Sequence, residues 1–369
     1  MVSPPIDTFY VRRIVPVTAA EQAQVLEVLG VPGSPYTRKI TALLRFRRIP
    51  FVLHWGNHDS PPADYPVPRV RLLPTVYRSS SEGEREALVD TTPLIRNLEG
   101  AYAQRGVIPE SPALAFLCDL IEDYADEWLT KVMFHYRWAH EADRQNIEPL
   151  LVYWVDPTLD ADMARVVAEK FGQRQYERLY VVGSNAVTGP IIEDSFARLV
   201  PILDTLLARR GFVLGGRPSA ADFALYGQLT QLVQVEPTPA ALVRQVSQRL
   251  PAWVDRMEDL SGNAARDEDW DTPEVALKAL APLLGEIGRV YLPFLLGNAA
   301  AAAVGEDTVN TEVDGRLWTQ PVFPYQVKCF KALLDGFKAL PAEDRALLTP
   351  VLTETGCQVL VNNETPPGS

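Results

Sequence analysis

A chain of 369 residues with a formal net charge of −12 is too long for one ordinary core, and it repels phosphate backbones and anionic lipid surfaces alike. Its apolar share of 47% against 22% charged fits a soluble globular protein of two domains with a third region appended. The opening MVSPPIDTFYVRRIV reads as no secretory leader, no apolar run approaches the roughly 20 residues of a membrane span, and Cys118, Cys329 and Cys357 are too few and scattered for a disulfide framework or zinc knuckle.

The expected setting is a reducing cytoplasm. Residues 1–23 form an N-terminal extension interrupted by prolines. Residues 24–103 form the first unit: QVLEVLGV is a short buried strand, SPYTRKITALLRFRRI an amphipathic helix and PFVLHW a second strand, an order that implies a crossover onto a parallel sheet. A proline-rich loop follows, then LLPTVYR as a strand interrupted by Pro74 and VDTTPLIRNLEGAY as a closing helix. A proline inside a strand pattern is accommodated at an edge, at a bulge or in a turn with a cis bond. A cis Leu73–Pro74 bond would present the Leu73 N–H and C=O to an extended peptide.

After a linker at 104–112 the strand signals fade, and 113–262 reads as an all-α domain. Its long first helix, 113–140, is followed by helices near 159–182, 189–210, 220–234 and 239–260. Residues 263–369 form an additional, mostly helical region expected to pack on that domain, with helices near 273–296, 326–339 and 342–355. An Asp-Gly hairpin turn lies in NTEVDGRLWTQ. The aromatic stretch 314–329 could cap an active site, form a subunit interface or seal the added helices.

Three features carry chemistry or its scaffold. Ser34 before Pro35 suits an N-cap followed by proline at the first helical position, and the same geometry would stabilise a thiolate through the helix dipole and a donated hydrogen bond. Both roles can hold at once. Asp90 and Thr91 open the next helix, where backbone N–H groups attract a carboxylate while Asp90 can take an ammonium group; a plain helix cap is the alternative. Ser219 and Asp222 form an S-x-x-D capping box that reports folding.

Taken in order, SPYTRKITALL, LLPTV with VDTTPLI, and RPSAADFALYGQL resemble the glutathione transferase superfamily over residues 25 to about 260. The resemblance implies a thioredoxin-like α/β N-terminal domain plus an all-α C-terminal domain. It implies glutathione as co-substrate without a metal, a homodimer, and a role in detoxification by attack of the glutathione thiolate on a small hydrophobic electrophile. Under it, Asp90 and Thr91 hold the γ-glutamyl end of glutathione, the backbone of Leu73 beside Pro74 pairs with its cysteinyl unit, and Ser34 is the catalytic candidate. Counted back from Arg38, the family's Ser or Cys falls on Gly33, one place earlier, with Tyr36 or Thr37 as substitutes for Ser34. No cysteine lies in this turn, so cysteine-type thiol exchange is not expected. The rival reading is a non-catalytic binding or scaffold protein that keeps the fold.

In the family, the first helix of the second domain lines the electrophile pocket, which makes Tyr36, Tyr124 and Trp128 the expected lining. Arg69 and Arg71 either meet the glycine carboxylate or lie solvated at an edge. The pairs Glu122/Asp126 and Asp123/Glu127 read as a solvated helix face. His54 and His58 stand in H-x3-H spacing on an apparent loop without a third ligand. His135 and His140, five apart on a helix and hence about 140° apart around it, are not expected to converge.

Overall fold

The computed structural model describes residues 25–58, 61–79 and 84–362; the N-terminal extension expected over 1–23 lies outside them. The first unit runs β1 (Leu26–Gly30), α1 (Pro35–Arg47), β2 (Phe51–Trp55), β3 (Thr75–Ser79), β4 (Arg85–Leu88) and α2 (Thr91–Ala101). The sheet order is β2-β1-β3-β4, with β1 and β2 parallel and the other pairs antiparallel. Val28 pairs with Leu53 and Val76 on its two flanking strands and is fully buried, as fits an apolar strand at the centre of the sheet. The Leu73–Pro74 bond is cis, and β3 starts just after the proline.

A continuous helical rod follows: α3 (Pro112–Tyr124) passes through a π turn, Ala125–Leu129, into α4 (Thr130–Ala139). Next come α5 (Glu141–Val155), α6 (Ala161–Tyr176), α7 (Gly189–Leu207), α8 (Ala220–Leu229) with its own π turn, α9 (Pro237–Val246) and α10 (Arg249–Met257). The single helix expected over 239–260 is two, because Ser247 leaves helical geometry and its hydroxyl accepts from the N–H groups of Arg249 and Leu250. The capping box forms as read: Asp222 Oδ2 accepts from Ser219 N at 2.8 Å, and Ser219 Oγ accepts from Asp222 N at 3.4 Å. A further bond from Val213 N to Asp222 Oδ1, 2.8 Å, ties the preceding loop to the helix start. Helix α8 crosses α1 closely. At Gly227 a Cβ would overlap the carbonyl oxygen of Pro35 and lie 3.2 Å from Lys39 Cβ.

The last region comprises α11 (Pro273–Glu286), a π turn and α12 (Leu292–Ala303), then the hairpin β5 (Thr308–Val313) and β6 (Arg316–Pro321), then α13 (Pro324–Ala339), α14 (Ala342–Glu354) and α15 (Gln358–Val361). The hairpin turn is Asp314-Gly315, both with positive φ (53° and 69°), the conformation such a two-residue turn requires. Contrary to the sequence reading, Pro273–Ala303 is one helix long and apolar enough by composition to cross a membrane. Its apolar window is 61% buried within the protein, as expected of a core helix.

One apolar core extends from Leu26 to Leu360. Trp128 of the π turn packs against Trp318 of β6 and Phe294 of α12, with ring centroids at 5.2 and 6.1 Å. Phe116 of α3 meets Phe337 of α13 at 5.4 Å. The added region therefore shares its interior with the helical domain.

Candidate functional site

The turn between β1 and α1 is pinned from three sides. Arg137 of α4 donates to the Gly33 carbonyl (2.9 Å), while Arg38 and Gln231 each donate to the Pro32 carbonyl (3.1 Å). Arg137 is itself held by Glu236 (2.5 Å) and Gln231 (2.6 Å). Ser34 is the N-cap of α1: its Oγ accepts from Thr37 N at 3.2 Å and donates to the Leu73 carbonyl at 3.4 Å. The helix start and the cis-proline corner thus meet at one hydroxyl. Its outgoing bond is at the long end of the useful range, so a better acceptor can take it over.

Gly33, one place earlier, has no room for a functional side chain. A Cβ there would overlap Leu151 and lie 2.8 Å from the Trp154 ring, because α5 covers this side of the turn. The substitutes for Ser34 are otherwise engaged. Tyr36 Oη donates to the Asp126 carbonyl (2.7 Å) and shares a 2.7 Å bond with Thr130 Oγ1. Burial, then the charges of Glu127 and Asp126, push this phenol well above its ordinary pKa. Thr37 points inward, its side chain filling the space beside Gly30.

Asp90 caps α2, its Oδ1 accepting from Thr92 N at 3.3 Å, with a backbone φ of 73°, a region that costs a non-glycine residue of order 1 kcal/mol or more. Its other oxygen, Oδ2, accepts from Tyr325 Oη at 2.7 Å, so the first turn of α13 reaches back over the start of α2. Thr91 is buried, and its hydroxyl accepts from Lys39 Nζ at 3.1 Å.

Lys39 anchors a buried charge network that the sequence reading placed on a solvated face. Its ammonium also donates to Glu122 (2.8 Å) and Asp126 (2.5 Å), and Arg96 of α2 donates to Glu122 (2.7 Å). Glu122 and Asp126 are 1% and 6% exposed. Two carboxylates one turn apart become buriable because α1 and α2 each bring a cation to them. Burial would raise the Glu122 pKa, but Arg96 and Lys39 hold it at about 2. Burial outweighs Lys39 at Asp126, which is pushed up to about 6.

Tyr124 and Trp128, expected to face the cleft, are fully buried. Tyr124 lies edge-on to Tyr291 at 5.8 Å, and Trp128 donates through Nε1 to Ser195 (3.0 Å) behind its stack with Trp318. The partly exposed face of the rod carries Asp123, Glu127, Thr130 and Phe134 instead. Asp123 accepts from Tyr291 Oη (2.6 Å) and Glu127 from Gln326 Nε2 (2.9 Å). Burial pushes Asp123 up to about 7 and Glu127 to about 8, and the Asp123 charge adds to the shift at Glu127. This side of the rod, running past Tyr36, is therefore mostly hydroxyl and carboxyl in character, with Phe134 its apolar member. The resemblance misled at these two aromatics because they pack inward on Tyr291, Ser195 and Phe294, and the missed signal was the acidic pair at 123 and 127.

Arg69 and Arg71 are exposed. His54 lies on β2, not in a loop, and is 2.8 Å from Glu27 Oε2. His135 and His140 do converge: each Nε2 is 3.1 Å from Glu193 Oε1. Helical-wheel arithmetic fails here because His140 is the residue at which α4 ends, with φ −97° and ψ 130°.

The model of the glutathione S-transferase N-terminal domain matches residues 28–106, and that of the C-terminal domain matches 163–256. Among solved structures, a GST-like protein from Pseudomonas syringae shares 19% identity over 63% of this chain, which spans 66% of that one, at TM-score 0.38. A glutathione transferase family member from Pseudomonas fluorescens pf-5, with two glutathione bound, shares 14% over 72% of this chain and 95% of its own, at TM-score 0.39. A glutathione S-transferase from Methylobacterium radiotolerans in complex with glutathione sulfonate shares 16%, with coverages of 66% and 99% and TM-score 0.31. No curated protein matches the chain.

Proposed function

Because the chain belongs to the glutathione S-transferase superfamily, carrying its N-terminal and C-terminal domains in order, we propose that it binds glutathione where α1, α2 and the Leu73–Pro74 corner meet and presents the thiol to an electrophile. The observation that carries this reading is the Ser34 hydroxyl, 3.4 Å from the Leu73 carbonyl. A tripeptide lying against Leu73 puts its sulfur beside a donor already at the start of a helix. Asp90 takes the α-ammonium, and the backbone N–H groups of Thr91 and Thr92, which open α2, turn to the α-carboxylate. Ser34 then turns its O–H from Leu73 to the sulfur, and the α1 dipole adds to the stabilisation of thiolate.

The polar face of Asp123, Glu127 and Thr130 moves the expected electrophile from a hydrophobic toward a polar one. The same proposal makes the protein a cytoplasmic homodimer acting in detoxification, in keeping with three buried, unpaired cysteines.

One observation favours the rival, non-catalytic reading. The charges that raise Tyr36, from Glu127, Asp126 and Asp90, would oppose ionisation of a thiol beside it. Two measurements separate the readings. Calorimetric titration with glutathione gives saturable binding that weakens at least tenfold in Asp90→Ala; no binding by the unaltered protein ends both the enzyme and the glutathione-binding proposals. Thiolate absorbance of the bound tripeptide then gives its pKa. A value below that of free glutathione, restored toward it in Ser34→Ala, supports catalysis, and an unshifted value leaves a binding protein.

A further inference from the structure

Of the four histidines in the chain, two meet one carboxylate at the corner where α4 ends and α7 begins. One ring nitrogen from each of His135 and His140 and a carboxylate oxygen of Glu193 all lie within 4.8 Å of one another, and both Nε2 atoms approach the same oxygen, Glu193 Oε1, at 3.1 Å. Tetrahedral coordination with bonds of about 2.1 Å sets ligand atoms roughly 3.4 Å apart, and both nitrogen–oxygen distances stand close to that spacing.

Other features of the corner suit a ligand set better than a simple hydrogen-bonded clip. His140 Nε2 is buried and makes no hydrogen bond, despite its short distance to Glu193; its N–H direction misses the oxygen. His135 has a side-chain exposure of 7%, and its Nδ1 is 2.7 Å from Ser184 Oγ. A second nitrogen held this way fixes a metal-binding imidazole in orientation and tautomer. His140 stacks on Tyr136, centroids 5.3 Å apart and planes 18° apart. Gly189, the first residue of α7, clears the His135 ring: a Cβ there would come within 3.1 Å of Cε1. Glu193 and His140 keep 42% and 32% side-chain exposure, which gives an ion a path in and leaves a coordination position for water.

We propose that His135, His140 and Glu193 bind a divalent transition-metal ion of the zinc class, tying the end of α4 to the first turns of α7. Two imidazoles and one carboxylate suit Zn2+ or Co2+, and not the all-oxygen shells of Ca2+ or Mg2+. The site lies apart from the glutathione-binding corner and does not rest on that reading.

The test titrates Co2+, and Zn2+ in competition with it, into the full chain after treatment with a chelator, following the visible absorption of the cobalt complex. The proposal expects one equivalent per chain in the micromolar range or tighter. Affinity falls at least about tenfold in His140→Ala, Glu193→Gln and the orienting-residue variant Ser184→Ala, and is unchanged in His54→Ala. The exposure of His140 and Glu193 makes their variants tolerable to the fold, which circular dichroism verifies. Absence of saturable binding, or binding indifferent to those three substitutions, overturns the proposal and leaves a hydrogen-bonded corner.

Discussion

Lys39→Met tests the buried network under the start of α2. Methionine keeps the length and apolar stem of lysine and removes only the ammonium. Glu122 retains Arg96 at 2.7 Å, but Asp126 Oδ2 is left with a single donor, the Thr92 hydroxyl at 3.3 Å. Breaking a buried pair by removing one partner costs about 3–5 kcal/mol. Protonation of Asp126 caps that cost. Counted from the value of about 6 that Asp126 holds beside Lys39, at about 1.4 kcal/mol per pH unit, the cap is about 1.4 kcal/mol at pH 7, about 3 at pH 8 and near zero at pH 5. Urea denaturation with unchanged m-value should therefore show a loss from this carboxylate that is small at pH 5 and grows to about 3 kcal/mol at pH 8. Lys39→Met combined with Asp126→Asn should recover most of the loss at pH 8. An equal loss at pH 5 and pH 8, or no recovery in the double variant at pH 8, would refute the reasoning.

Tyr325→Phe releases Asp90 from its 2.7 Å bond; a net hydrogen bond of about 0.5–1.5 kcal/mol predicts glutathione affinity raised about 2- to 12-fold by calorimetry, and unchanged or weaker binding would show that the phenol does not compete for the carboxylate. Trp128→Ala should cost about 3–5 kcal/mol in the same denaturation assay, as a core residue does, while leaving glutathione affinity within twofold. The pH dependence follows from Asp123 and Glu127, raised to about 7 and 8: their contribution is full below the ordinary carboxylate values and is lost as pH rises through the raised ones. Each adds a fall of at most about 1.4 kcal/mol per pH unit between pH 5 and 7, and Asp123→Asn with Glu127→Gln should flatten that fall. Lys131, lowered to about 7 by burial, acts oppositely, contributing above the ordinary lysine value and losing that contribution as pH falls through 7, so Lys131→Met should remove a rise in stability between pH 8 and 10.

Local signals were readable. The Ser219/Asp222 box, the Asp314-Gly315 turn and the cap at Ser34 each depend on residues within a few positions of one another, where a spacing fixes the geometry. Long-range signals were not. Helix α5 escaped notice because Pro149 lies inside it, and strand β4 because Arg-Glu-Ala-Leu is a helix-favouring sequence held extended by pairing with β3. The face of the α3–α4 rod was misassigned for two reasons: the π turn at 125–129 shifts its period, and the aromatics meet partners almost 200 residues away. Glu122 and Asp126 looked solvated since nothing near them in sequence announces Lys39. In the candidate site, Ser34, Leu73 and Asp90 were named from local pattern and resemblance, and the fold brings Ser34 to Leu73; Tyr325, which meets Asp90, was hidden in a stretch whose destination only the fold reveals.

Gly227 has no functional group, yet it decides where one stands. Any larger residue there must push against the Pro35 carbonyl, which belongs to the residue immediately after Ser34. A methyl group deep in the helical domain would thus be felt as a misaimed hydroxyl at the mouth of another domain. Variation at such a crossing can silence chemistry while every reacting side chain remains in place.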